Sequence, residues 1–327
     1  MTPLVSVIVT TYNQAPYIEE TLRSVLAQTY EHREVIVVDD GSTDDTPARL
    51  ARFDASIRCI RQRNQGVAGS RNTGVQHARG QLVAFLDGDD LWEPEKLAIQ
   101  VHAFEAHPAS GLIAVDAAEF CGSGILRSST LPWQKSFLRA NQGGLATVRC
   151  HRELLYGNFI GTTSQVMVPA RVIRAVGLSD TRFNVSSDYD LYIRIAARHE
   201  FTFVNEVLVR RRYLETSASG PAQRRPLVWG QDVIEILKKH LRDNSHEGRE
   251  LIKSILPQRI LATAEAAYYY GSDQDRAWAT RYLLRLAARN PGALGPCLFL
   301  AGLWTPRAVR AAVRPFVRKM LPVELVA

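Results

Sequence analysis

Long hydrophobic runs are missing from this 327-residue chain. No segment stays apolar for the roughly 20 residues that a helix needs to cross a bilayer, which excludes a polytopic membrane protein. Cysteine is scarce. The four residues, Cys59, Cys121, Cys150 and Cys297, form no C-x-x-C pair, which argues against a disulfide framework or a zinc site and for a reducing compartment. None of the eight histidines makes an H-x-x-x-H pair, so they read as solvated or structural. The 21 glycines and 15 prolines are too few for a collagen-like or wholly disordered chain. The N-terminal MTPLVSVIVTTYN has no basic region before its apolar run and no small-residue cleavage site, so no targeting peptide is expected. Neither G-x-G-x-x-G nor G-x-x-x-x-G-K-[ST] occurs, which removes the usual dinucleotide and P-loop signatures.

Charge is plentiful but uneven. Residues 1–100 hold 10 Lys/Arg and 14 Asp/Glu, a net of −4, whereas residues 201–327 hold 20 and 11, a net of +9. The basic half carries no DNA- or RNA-binding motif, so no nucleic-acid partner is expected. A basic tail behind an acidic front half fits an anionic membrane surface at least as well.

The first hundred residues alternate strand and helix signals. Val5–Thr10 and Glu34–Val38 read as buried strands, Ser56–Ile60 and Gln81–Leu86 as two further strands, and Ala15–Gln28, Thr43–Phe53, Gly66–Ala78 and Pro94–His107 as helices. That alternation implies right-handed crossovers and a mainly parallel sheet covered on both faces. Further on, Ile113–Ala117 and Ser164–Val168 fit strands, 121–150 is loop-like, Ser187–Ala197 is helical and Phe201–Arg210 is a strand. From about residue 225 the pattern turns to helices at 228–242, 247–270 and 274–289, with a boundary placed near 220 in the polar stretch Thr216–Pro221.

Two acidic clusters follow strands: Asp39-Asp40, and Asp87-Gly88-Asp89-Asp90. Open α/β sheets bind ligands outside the carboxyl ends of their strands, so both clusters point to one crevice. Taken alone, Asp-Gly-Asp-Asp is more often a surface turn. Three carboxylates within four residues repel one another, which a hard cation such as Mg²⁺ or Mn²⁺ relieves. The loop Asn64–Gly74 is a second Gly-rich element, with Arg71 offering donors.

The set VSVIVTTYN, VIVVDDGSTDDT, NQGVAGSRNTG and VAFLDGDDLWEPEKL, in this order over residues 4–97, resembles the inverting family 2 glycosyltransferases. A weaker resemblance, carried by RFNVSSDYDLYIRIAARHEFTFVNEVLVRRRY, extends to about residue 215. The resemblance implies an α/β fold of GT-A type: Rossmann-like, with a mainly parallel central sheet flanked by helices. An α-helical C-terminal extension follows it. Residues 1–220 would form the transferase domain, with 1–110 the nucleotide-binding half and 111–220 the acceptor half, and 221–327 the helical region. By the same resemblance, Thr10 and Tyr12 line the nucleobase pocket, Asp40 bonds the base and Arg71 lies beside the nucleotide. Asp87 approaches the ribose and Asp89 reaches a divalent cation, Mg or Mn, on the diphosphate. Asp188 matches the catalytic base. Ser187 stands where many relatives have Glu, which leaves Asp190 as the other candidate. Arg210-Arg211-Arg212 reads as a solvated charge run, although the family brings this region towards the active site, which makes Arg212 a candidate too.

The implied activity is transfer of one sugar from a nucleoside diphosphate sugar, UDP-type, to a saccharide or lipid-linked hydroxyl acceptor in cell-surface polysaccharide or glycolipid assembly. The expected location is cytoplasmic or peripheral on the inner face of the cytoplasmic membrane. Two rivals stand beside it: a nucleotidyltransferase on a related sheet, and a nucleotide-sugar-binding scaffold without catalysis. In the tail, apolar Leu294–Trp304 precedes a stripe of Arg310, Arg314 and Arg318, which fits either an anionic bilayer surface or a packed helix with a solvated face.

Overall fold

A computed structural model describes residues 2–130, 144–183, 185–214, 225–243 and 245–289. The apolar tail with its arginine stripe and the boundary stretch Thr216–Pro221 lie outside the described residues. The chain divides into two compact units, Met1–Leu214 and Glu215–Ala327.

In the first unit the elements run β1 (Val5–Thr11), α1 (Ile18–Leu26), β2 (Arg33–Asp39), α2 (Thr46–Leu50), β3 (Arg58–Arg61), α3 (Gly66–His77), β4 (Leu82–Asp87), β5 (Leu91–Trp92) and α4 (Lys96–Ala106). There follow β6 (Leu112–Cys121), β7 (Gly124–Arg127), β8 (Leu145–Val148), α5 (His151–Tyr156), β9 (Val166–Pro169), α6 (Ala170–Val176), α7 (Ser187–Ala196) and β10 (Phe201–Arg212). A one-turn 3₁₀ helix at Thr163–Gln165 leads into β9.

The strands form one sheet in the order β3-β2-β1-β4-β9-β6-β10-β5, with β7 paired to β6 and β8 to β10. β3, β2, β1 and β4 are mutually parallel, as βαβ crossovers demand. β9 then runs antiparallel to both β4 and β6, so β6 and its parallel neighbour β10 again point the way of β1. Every residue of β1 is buried, which is why its run of Val, Ile and Thr shows no alternation. Helix α1 shows the opposite economy: Ile18, Leu22 and Val25 enter the core while Glu19, Glu20 and Arg23 do not.

Five elements escape the sequence reading. Two-residue β5 is too short for periodicity, and the loop-like 121–150 holds β7 and β8. The helices α5 and α6 are single short runs of six and seven residues.

One buried charge is unusual. Lys96, at the start of α4, is fully buried; its Nζ donates to Gln100 Oε1 at 2.7 Å and lies 3.7 Å from the Trp92 ring centroid. Burial holds its pKa well below the ordinary lysine value. The unfolded chain therefore binds the extra proton up to about pH 10.4, and folding stability rises with pH through that window. Lys96→Met removes this proton uptake. Its stability relative to wild type is expected to be greater at pH 7 than at pH 9.5, as read by urea denaturation at both pH values.

The second unit holds α8 (Arg225–Asp243), α9 (His246–Tyr270) and α10 (Asp273–Arg289). They pack around Leu227, Ile234, Leu261, Ala264, Ala267 and Leu283. Among the described residues no helix is long and apolar enough to cross a membrane.

Candidate active site

Register places the key residues along one edge. Thr10 on β1 lies opposite Val38 on β2 and Asp87 on β4, and Thr11 lies opposite Asp39. All sit at the carboxyl ends of parallel strands. The chain leaves β1 through Tyr12, which is 48 % exposed, and Asn13, whose φ of 52° is left-handed. That turn is stitched to the loop after β2. Asn13 N donates to Ser42 Oγ at 2.9 Å, Thr43 N to Asn13 Oδ1 at 2.8 Å and Gln14 N to Thr46 Oγ1 at 3.0 Å. Beneath it, buried Asp39 accepts from Ser42 N, and Asp40 Oδ1 accepts from Gln62 Nε2 at 2.7 Å and Gln65 N at 2.9 Å.

The acidic turn after β4 is braced from two sides. Asp87 accepts from Arg71 at 2.7 Å and from Thr162 Oγ1 at 3.1 Å, while its own N donates to Ser164 Oγ at 3.1 Å. Ser164 Oγ in turn donates to Asp90 Oδ2 at 2.6 Å, and the other Asp90 oxygen accepts from Arg212 N at 3.0 Å. Gly88 is packed so tightly that a Cβ there would stand 2.9 Å from the Thr10 carbonyl oxygen. Asp90 is thus a buried strut with both oxygens engaged. Asp89 differs: no other residue donates to its carboxylate in the described structure.

Electrostatics follow from this layout. Burial presses the Asp87 carboxyl upward, but the Arg71 guanidinium and the Thr162 hydroxyl outweigh it and hold it below the usual range. Burial and then the Asp87 charge push Asp89 up to about 6. Asp90 is driven well above the usual range by burial and by both neighbouring carboxylates.

Helix α7 supplies the fourth carboxylate. Asp188 sits in its first turn, and its Oδ1 accepts from Tyr189 N at 2.7 Å. Burial pushes Asp188 up to about 6, with the opposing Arg71 charge close by. Asp190, two residues on, is fully buried and accepts from Arg194 Nε at 2.9 Å within the same helix, and Arg194 in turn donates to the carbonyls of Val176, Gly177 and Leu178, which ties the helix to the fold. Arg71 therefore bridges Asp87 and Asp188 electrostatically, from a buried position on α3. Three polar atoms here are buried without a hydrogen-bond partner: Arg71 Nε, Ser187 Oγ and Tyr192 Oη. Buried orphans at one place mark a site shaped for something that brings its own donors and acceptors.

Among the described residues no cluster of three or more His, Cys, Asp or Glu side chains is placed to hold a metal ion. The unpartnered Asp89 carboxylate still fits one. Mg²⁺ and Mn²⁺ commonly take one or two carboxylates and complete their shell with water and substrate phosphate oxygens.

The structure brings Arg71, Asp87 and Asp188 together, and places Thr10, Tyr12 and Asp40 further along the same sheet edge. Sequence reasoning missed the brace residues Thr162 and Ser164, and named Arg212 a candidate without its bracing role. The only cue for the first two was the hydroxyl-rich Thr162-Thr163-Ser164 just ahead of a strand. Arg212 is no part of a solvated run, for its side chain is 10 % exposed.

Residues 6–158 match the sequence profile of the family described as glycosyl transferase family 2. An uncharacterized glycosyltransferase of Rickettsia typhi is 29% identical over 222 residues, 67% of this chain and 67% of its own. Another, of Rickettsia felis, is 28% identical over 215 residues, 64% of this chain, and the match spans only 34% of its length. TuaG of Bacillus subtilis, named for teichuronic acid biosynthesis, is 46% identical over 103 residues, 30% of this chain and 41% of its own. Among solved structures, S. aureus TarS 1–349 in complex with UDP-GlcNAc superposes with a TM-score of 0.64 at 17% identity, covering 91% of this chain and 86% of that one. The mannosyltransferase PcManGT from Pyrobaculum calidifontis, in complex with GDP-Man and Mn²⁺, gives 0.58 at 21%, covering 97% and 88%. At these identities the likeness shows the fold, which is GT-A.

Proposed function

We propose that this chain, whose residues 6–158 match glycosyl transferase family 2, moves a single sugar, with inversion, from a nucleoside diphosphate sugar of UDP type to a hydroxyl acceptor. The observation that carries this reading is Asp89: alone of the three carboxylates of the acidic turn, it takes no hydrogen bond from another of the described residues, at the carboxyl edge of the sheet. Tyr12 offers an exposed ring for stacking on the base. Asp40, with one oxygen fixed by Gln62 and Gln65, presents the other to the base, and Thr10 lines the same strand end. Arg71 keeps Asp87 ionised and directs it towards the donor. Asp89 would hold the divalent cation, which when bound neutralises charge gathering on the leaving diphosphate. Asp188 takes the proton from the acceptor hydroxyl as its oxygen bonds to the anomeric carbon and the bond from that carbon to the phosphate oxygen breaks. One in-line displacement of this kind inverts the anomeric centre. The acceptor would be a saccharide or lipid-linked sugar of a cell-surface polymer, in keeping with the name of TuaG.

The test is nucleoside diphosphate release from a panel of nucleotide sugars with Mn²⁺ or Mg²⁺, run with a saccharide acceptor mixture. Wild type is expected to release diphosphate from one donor, and Asp89→Ala to lose at least about 10²-fold of that rate. Donor binding by calorimetry with no release under any acceptor would instead establish a non-catalytic scaffold.

A further inference from the structure

The last residue of β10 occupies an unusual position. Arg212 Nε donates to the Asp89 carbonyl oxygen at 2.9 Å, and its backbone N donates to Asp90 Oδ1 at 3.0 Å. Its Nη2 donates to Glu20 Oε2 on α1 at 2.7 Å. The guanidinium also lies over two rings, 4.8 Å from the Tyr17 centroid and 4.5 Å from that of Phe120. Nε and Nη2 of the planar fork are thus committed to the protein while its face stacks on two rings, a combination that a lysine could not reproduce. With these two nitrogens engaged, the guanidinium is placed to brace the turn.

We propose that Arg212 is a positioning residue that locks the Asp89-Asp90 peptide in place, so that the Asp89 carboxylate is pre-aimed at the cation and the diphosphate. The inference rests on the transferase reading given above. By tying the carbonyl of Asp89 and the carboxylate of Asp90, Arg212 removes the two rotations by which the turn could swing Asp89 back against its neighbours. Its charge also offsets part of the repulsion among the three carboxylates. Glu20 and the two rings hold the guanidinium itself, which links the turn to the first helix of the fold. Outer-shell partners of this kind typically change metal affinity or activity by about 10- to 100-fold when lost.

The experiment measures Mn²⁺ binding in the presence of UDP by calorimetry, and the Mn²⁺ dependence of diphosphate release, for wild type, Arg212→Met, Arg212→Lys and Glu20→Gln. Thermal melts check that each variant is folded. Arg212→Met is expected to weaken Mn²⁺ binding about 10-fold and to raise the half-saturating Mn²⁺ concentration by the same factor, with kcat at saturating Mn²⁺ within about threefold of wild type. Arg212→Lys should recover little of the loss. Glu20→Gln, which leaves the arginine stacked, should shift the Mn²⁺ requirement about two- to threefold and covers the case of a misfolded Arg212 variant. Unchanged Mn²⁺ binding in the arginine variants and in Glu20→Gln overturns the inference while leaving the transferase reading intact. A fall in kcat at saturating Mn²⁺ with unchanged metal binding also overturns it, because Arg212 would then act on the substrate. Absence of Mn²⁺ binding in wild type itself overturns both.

Discussion

Asp188→Asn is expected to lower turnover by about 10²- to 10⁴-fold, the usual contribution of a positioned base, while nucleotide binding stays within about twofold of wild type. The substitution keeps the shape of the side chain and its acceptance from Tyr189 N, so helix α7 starts as before. What it removes is the capacity to take a proton. The wild-type pH profile carries a second mark. Burial, opposed by Arg71, puts Asp188 up at about 6, so the rate should fall tenfold per pH unit below about pH 6 as the carboxylate is protonated. The residual rate of the variant should lack that limb.

Stability gives an independent check with the opposite sign. An acid whose folded pKa lies above its unfolded value of about 3.9 binds more protons in the folded state between those values. Native stability therefore falls as pH rises through that window, and the ionised carboxylate costs stability above it. Asp188→Asn escapes the cost, so its melting temperature at pH 8 should equal or exceed that of wild type. A variant that lost activity together with stability would point to a structural role instead.

The largest effect on folding is expected far from this edge, at Gly80. A Cβ there would stand 2.6 Å from Ser6 N, 2.7 Å from the Leu4 carbonyl oxygen and 2.7 Å from Ser6 Oγ. Two of these are backbone atoms of the central strand region and cannot swing aside. The same spot anchors a chain of bonds: Gly80 N donates to Ser6 Oγ at 2.8 Å, Ser6 Oγ to Glu34 Oε1 at 2.6 Å, and Arg79 N to the same Glu34 oxygen at 2.7 Å. Gly80→Ala must push the entry of β4 away from β1 or break this chain. We expect a loss of about 3 kcal/mol, the upper end for overpacking, and a fall in melting temperature of roughly 6–12 °C for a unit of this size. Since Gly80 lies at the amino end of β4, KM for the donor should be unchanged at low temperature.

The first hundred residues of this fold were legible because β1, β2 and β4 are buried and α1 carries one apolar stripe. VSVIVT, EVIVV and QLVAFL name β1, β2 and β4 within a residue or two, and the strand-end carboxylates followed at once. The reading failed where structure depends on partners remote in sequence. β5 exists because Leu91 and Trp92 pair with Arg210 and Val209 more than a hundred positions later. The same holds for the hydroxyls of Thr162 and Ser164, which look like ordinary loop residues until β9 sets them under the acidic turn. Asp188 and Asp190 could not be separated by spacing alone. What separates them is Arg194, one turn further along α7, which claims Asp190.

The antiparallel strand β9 has a consequence in time as well as in space. The strands β3, β2, β1 and β4 are complete by residue 87, yet β4's other neighbour is synthesised only at residues 166–169. Arg212 comes 122 residues after Asp90. At about 5–20 residues per second on the ribosome, the turn waits roughly 6–24 s for its brace. During that interval β4 is an edge strand of a nascent half-sheet, the kind of surface on which chains stick to one another. Arg71 already pairs with Asp87, but Asp89 and Asp90 wait for Arg212, and their charges repel a second copy of themselves, so the acidic turn of the finished fold first guards its unfinished edge.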